Sequence, residues 1–155
     1  MFNIQCLESS KVDSLSCHAK FLIEPLEKGH GITIGNALRR TLLSHIPGIA
    51  IVGVRIANVN HEFSTISGVK EDVIEVLLNL KQLVFKGDIN ESIVARLNYN
   101  GNGIINASNI ELPPELSFVD SQQYIASCTA FTRVEMEFLI TKGYGYYLSN
   151  NNSFN

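Results

Sequence analysis

The stretch LEKGHGITIGNALRRTLLSHIPG, residues 26–48, constrains the fold more than any other part of the chain. Gly29 and Gly31 tolerate backbone angles that other residues resist, so a sharp turn is expected there ahead of a helix. Thr33 is the candidate N-cap. From Ile34 onward, Ile34, Leu38, Leu42 and Ile46 recur every four residues and lay an apolar stripe along one side of the helix. Pro47-Gly48 ends it. Arg39 and Arg40 are successive and point about 100° apart, so they cannot serve one neighbour. Arg40 shares a face with Leu43 and Ser44, whereas the Ile34, Leu38 and Leu42 line looks elsewhere. One short helix thus offers two contact surfaces, although an ordinary amphipathic helix with solvated arginines has the same spacing.

Taken in order, residues 2–8 and 18–24 read as strands, the second with Ala19, Phe21 and Ile23 alternating against Lys20, Leu22 and Glu24. A polar connection, 9–16, joins them, and Pro25 closes the second. After the helix, the β-branched density of residues 49–58 marks a buried strand, with which 59–65 can pair. Gly68 breaks the chain before a second helix over 69–83. Glu71, Asp72 and Glu75 fall in or near its first turn, where the helix dipole favours negative charge. Val73, Val76, Leu77, Leu80 and Val84 supply its apolar face.

Beyond Val84 the pattern changes to short strands. Residues 92–98 alternate, Asn100-Gly101-Asn102-Gly103 is a turn signal, and 104–110 reads as another strand or loop. Leu112-Pro113-Pro114 is irregular. Residues 124–129 and 133–141 form two more strands, the latter with Val134, Met136, Phe138 and Ile140 on one face and Arg133, Glu135 and Glu137 on the other. Residues 149–155 make a polar tail expected to be disordered.

Several function classes find little support. Glu135 and Glu137 lie on one side of a strand, roughly 6 to 7 Å apart, a spacing that fits an acid and base pair, yet their alternation with apolar residues fits a solvated face better. The glycine turn lacks both the dinucleotide pattern, having Ile34 where the third glycine should stand, and the ending of a P-loop. Cys17 and His18 are adjacent and point to opposite faces of an extended chain. His30, His45 and His61 have no carboxylate or thiol at ligand spacing, so neither metal nor cofactor is expected. A net charge of −3, with twelve scattered basic residues, argues against a dedicated nucleic-acid surface. Cys6, Cys17 and Cys128, odd in number and widely spaced, suit free thiols. No run of about 18 apolar residues is present, and MFNIQCLESS lacks the order of a signal peptide. The length and the 45% hydrophobic fraction allow one domain, or two small lobes, with a real core.

The run EPLEKGHGITIGNALRRTLLSHIPG, followed by VRIANVNHEFSTISGVKEDVIEVLLNLKQLV, resembles the N-terminal domain of the alpha subunit of bacterial-type RNA polymerase. IQCLESS, VEMEF (134–138) and KGYGY (142–146) are similar to segments at corresponding places, most like the cyanobacterial and plastid forms. The likeness covers nearly the whole chain.

The resemblance implies a two-lobed α+β fold: a dimerisation lobe begun by residues 1–47, an inserted and mostly β second lobe over 48–141, and a return segment with the polar tail over 142–155. It implies an assembly scaffold of a plastid DNA-directed RNA polymerase that carries no catalytic residue itself, nucleotidyl transfer and its metal ions belonging to the large subunits. Ile34, Leu38, Thr41, Leu42 and His45 would face the dimer seam. Arg40, with Leu43 beside it, would engage the beta subunit, and residues 61–80 would support large-subunit contacts. The expected partners are an alpha-type subunit, as a homodimer or a separately encoded second half, and the beta and beta-prime type subunits. The family's domain continues well beyond KGYGY, so a C-terminally truncated form is expected, its second half split off, lost to partner subunits, or cut short. Neither direct sequence-specific DNA contact nor a membrane is expected. A stand-alone interaction module on the same fold and, third, an independent enzyme are the competing expectations.

Overall fold

The computed structural model describes residues 3–13 and 16–146. The chain divides into two compact units, one running to Pro47 and taking in Tyr144–Tyr146, the other running from Gly48 to Gly143. Phe2, the start of the first expected strand, and the 149–155 tail lie outside the described residues.

The first unit opens with an antiparallel pair, β1 (Asn3–Lys11) and β2 (Cys17–Glu24). Both strands run further into the polar segment than its composition suggests, because Ser9, Ser10 and Lys11 pair with Ala19, His18 and Cys17. Ile4 opposes Ile23 and Cys6 opposes Phe21, which gathers these four on one face. Helix α1 (His30–His45) follows. It begins three residues before the expected Thr33 cap: Gly29 adopts φ +91° and takes the N-cap position, so Thr33 already sits in the first turns. No side-chain bond caps the helix. At the other end Ile46 is extended, and Gly145, at φ +65°, lies against the Ser44 backbone.

In the second unit a four-stranded sheet has the order β3-β8-β5-β6, built from β3 (Pro47–Ile56), β5 (Ile93–Asn106), β6 (Ile110–Glu111) and β8 (Tyr124–Tyr144). A two-stranded sheet pairs β4 (Phe85–Gly87) with β7 (Leu116–Phe118), and α2 spans Val73–Lys81. The expected pairing of 59–65 with β3 does not occur. Asn58 adopts φ +62°, Val59 donates back to the Ile56 carbonyl, and the neighbour of β3 is β8.

The two strands expected at 124–129 and 133–141 are one strand, and so are 93–98 and 104–106, while 107–109 form a helical turn and Ile110 starts β6. Asn100 to Gly103 is no turn, because β5 pairs with the distant β8 instead of folding back on itself. Gly101 pairs with Thr132 and Gly103 with Cys128, so Asn102 alone opposes Thr129, Ala130 and Phe131. Gly101 at φ +157° and Gly103 at φ +116° carry the chain through this bulge. Two surplus residues leave the two-residue side-chain period intact, whereas one would reverse it. Ala126, Cys128, Val134, Met136, Phe138 and Ile140 consequently all reach the buried core.

That core joins these residues with Ala95, Leu97 and Ile105 of β5 and with Val73, Val76 and Leu80 of α2. The second helix is shorter than the expected 69–83. Its N-cap is Asp72, Val84 lies beyond its end and is exposed, and residues 68–70 lie along β8 instead of in the helix. Thr129 donates its backbone N–H to the Gly68 carbonyl at 2.9 Å, and Lys70 donates to the Ser127 carbonyl at 3.0 Å, around a bridge between Val69 and Cys128.

Gly68 holds φ +78°, and a Cβ there would lie 1.9 Å from the Thr132 hydroxyl oxygen. Gly68→Ala is expected to destabilise the second unit by about 2 kcal/mol or more, since the left-handed penalty alone is roughly 1–2 kcal/mol per residue. A lowered urea midpoint with an unchanged slope checks it.

Candidate docking surfaces

Helix α1 has no buried residue. Of its apolar stripe only Ile34 is half-buried, while Leu38 and Leu42 are 47% and 59% exposed. Thr41 and His45 share the stripe and are exposed too, His45 with its Nδ1 2.6 Å from the Ser44 hydroxyl. At 100° per residue, Arg40 and Leu43 lie on the opposite side of the helix, with Ile32 adjoining. Leu43 is 68% exposed, and Arg40 has no hydrogen-bond or ion-pair partner among the described residues. The Ser44 hydroxyl donates to the Arg40 carbonyl at 2.7 Å, a bond within the helix that leaves the guanidinium unengaged. The structure therefore keeps the two faces read from the sequence and covers neither with residues of this unit.

The second unit treats its charges differently. On the outer face of β3, β8 and β5, Glu137 accepts from Arg55 Nε at 2.9 Å and from Arg96 Nε at 3.2 Å, and Arg133 pairs with Glu135. The Arg55 guanidinium, then lesser contributions that include Arg96, holds the Glu137 carboxyl below its ordinary range. Arg55, Arg96, Glu135 and Glu137 line an open cavity of about 610 Å³ with Asn98 and Met136. Glu135 and Glu137 are each committed to arginines, so the pair is suited to surface structure and not to exchanging protons with a substrate.

Glu71 differs most from its sequence expectation. It precedes α2 instead of lying in its first turn, where Glu75 is the acidic residue, and it is 9% exposed. The Tyr124 hydroxyl donates to one carboxylate oxygen, joined by the Ser127 hydroxyl at 3.0 Å, and the Ser127 backbone N–H donates to the other at 2.7 Å. Burial pushes its pKa up, but the bonds from Tyr124 and Ser127 together outweigh burial and the net shift is downward. No periodicity marks this residue, since its partners lie over fifty positions away; the only hint is a glutamate beside a glycine break.

Cys6 and Cys17 are exposed free thiols, and Cys128 is buried. Burial, then the charge of Glu71, pushes the Cys128 thiol up. Among the described residues, no group of three or more His, Cys, Asp or Glu is placed to hold a metal ion, and no helix is long and apolar enough to cross a membrane.

The fold class is α+β, with mostly antiparallel sheets and two helices. Residues 54–155 match the RNA polymerase Rpb3/RpoA insert domain, and the chain belongs to that family. It is 59% identical over its full length to a DNA-directed RNA polymerase subunit alpha of Emiliania huxleyi, covering 50% of that protein. It is 51% identical to the subunit of the same name in Guillardia theta, over 94% of this chain and 46% of the relative. The Synechocystis protein is 47% identical over the same shares. The chain thus spans about half the length of the curated relatives it matches.

Because the Glu71 pKa is depressed on folding, its contribution to stability is fully present above the unfolded value near 4.5 and is lost as pH falls through the lower folded value. Glu71→Gln is expected to cost about 2 kcal/mol at neutral pH, the scale of hydrogen bonds to a charged group. It should also flatten the acid limb of stability below about pH 4.5, as urea titrations at stepped pH would detect.

Proposed function

We propose that this chain acts as an alpha-type subunit of a plastid DNA-directed RNA polymerase and serves as an assembly scaffold in transcription. The observation that carries the proposal is α1: a family member presents a helix with an exposed apolar stripe on one side and, on the other, an arginine with no partner among the described residues. Uncovered apolar area of this kind is a docking surface or an aggregation liability, and a scaffold subunit uses it as the former.

In this proposal Ile34, Leu38, Thr41, Leu42 and His45 form the seam with a second alpha-type chain, or with a separately supplied half. Arg40 and Leu43 face a beta-type large subunit, and residues 61–80 add further large-subunit contact. Residues 1–47 begin the dimerisation lobe, 48–141 form the inserted lobe, and 142–155 start the return. Nucleotidyl transfer belongs to the large subunits, and this chain adds no catalytic group. The algal and cyanobacterial relatives support the plastid assignment.

The guanidinium of Arg40 can offer several directed hydrogen bonds to carboxylates or carbonyls of a partner, which a lysine ammonium does not reproduce. Arg40→Ala is expected to weaken large-subunit capture by roughly 30-fold, equivalent to about 2 kcal/mol at a desolvated contact, with Arg40→Lys intermediate. Pull-down of the tagged chain from its native compartment, with quantitative mass spectrometry, measures this. Absence of both large subunits from the wild-type pull-down would falsify the proposal. Leu38→Asp should abolish alpha-type self-association by placing a charge in the seam, read by sedimentation velocity, while leaving the second unit's unfolding unchanged.

A further inference from the structure

We infer that Asn102 is a self-modifying site: the backbone nitrogen of Gly103 converts its side-chain amide to a carboxylate, and the Tyr99 hydroxyl promotes the step. The inference is independent of the scaffold role.

The run Asn100-Gly101-Asn102-Gly103 holds two asparagines, each followed by a glycine, and both asparagines are exposed. In such a pair the glycine nitrogen is the nucleophile and the asparagine side-chain carbon the electrophile, and the glycine has no side chain to obstruct their approach. The fold treats the two pairs differently. Asn100 sits within the ladder opposite Arg133, with Tyr99 and Gly101 paired on either side of it. Asn102 has no one-to-one partner in the register, because it crosses the bulge between Gly101 and Gly103. There is room around Gly103: apart from its chain neighbours, only the Tyr99 hydroxyl oxygen comes within 4 Å of where a Cβ would stand, at 3.5 Å.

The same hydroxyl donates to the Asn102 carbonyl oxygen at 2.9 Å. That carbonyl belongs to one peptide unit with the Gly103 nitrogen. When the nitrogen gives up its proton to solvent, the negative charge spreads onto this oxygen, where a donor already in place stabilises it. Among the described residues no side chain donates to the Asn100 carbonyl.

The Gly103 nitrogen then bonds to Cγ of Asn102, the Cγ–Nδ2 bond breaks, and ammonia leaves with a proton from solvent. Water opens the resulting cyclic imide at either carbonyl, giving aspartate when the side-chain carbonyl is attacked and isoaspartate when the main-chain carbonyl is. The balance is an amide and a water consumed, a carboxylate and an ammonium formed. Gly103 rejoins the ladder opposite Cys128, so its nitrogen reaches Cγ when that end of the bulge opens, a local motion that leaves the rest of β5 and β8 paired. The product places a negative charge in the bulge, and isoaspartate also lengthens the backbone at a point where the ladder is already irregular.

The test incubates the folded full chain in warm, mildly alkaline buffer and maps it by peptide mass spectrometry with electron-transfer fragmentation, which separates aspartate from isoaspartate. Conversion is expected to concentrate at position 102, roughly fivefold faster than at Asn100, the factor that one net hydrogen bond supplies. Tyr99→Phe keeps the ring and removes the donor, and it should slow conversion at position 102 by about the same factor. Urea-unfolded wild type should convert the two sites at like rates, because both precede glycine and Tyr99 no longer holds its place. This comparison carries the test by itself should Tyr99→Phe fail to unfold cooperatively. Equal rates at the two sites in the folded chain, an Asn102 that stays intact while the unfolded chain converts, or an undiminished rate in folded Tyr99→Phe overturns the inference.

Discussion

Strand β8 runs for 21 residues and sends Ala126, Cys128, Val134, Met136, Phe138 and Ile140, all even-numbered, into one core, and much of the second unit depends on keeping that stretch in phase. It has β3 on one side and β5 on the other, and near its start it takes backbone bonds from the segment before α2. The strand takes a one-residue slip only near its start, where Ile125 is passed over between the Ala126 and Tyr124 pairings; further along, one slipped residue would turn Met136 and Phe138 outward and Glu135 and Glu137 inward. The bulge at Thr129 to Phe131 respects this by admitting surplus residues as a pair. The break in the middle of β8 is thus a place where the strand bends without changing sides.

Glu71 completes the same arrangement from the opposite direction. The sheet gains a short stretch of extra backbone at 68–70, and the stretch ends where a carboxylate can satisfy the next donor. Burying a carboxylate is unfavourable unless directed donors surround it, and three donors do so here. The outer face of the sheet handles its acids by the other available means, pairing Glu135 and Glu137 with arginines that remain in water.

The local and periodic parts of this fold were legible in the sequence. The α1 stripe, the Val134 to Ile140 alternation and the Val73, Val76 and Leu80 face all appear where spacing puts them. The errors share one cause, which is pairing between distant segments. Asn100 to Gly103 has turn composition, but its glycines serve a bulge opposite β8, a partner invisible in any short window. The helix expected from Val69 begins at Val73 because Gly68 and Lys70 bond their backbone to β8, and the same contact removes Glu71 from the helix turn. Of the candidate site, the two faces of α1 were readable because a helix face is a local property. The bonds of Glu71 were not, since its partners lie over fifty positions away.

The distribution of thiols gives the molecule a built-in clock. Cys6 and Cys17 stand in solvent on the hairpin, whereas Cys128 is buried, and burial, then the charge of Glu71, pushes its thiol up. A thiol-modifying reagent therefore meets two sites at once and the third only when the core around it opens. Each chain thus carries, in one unit, a record of exposure to its surroundings and, in the other, a record of how often its core has opened.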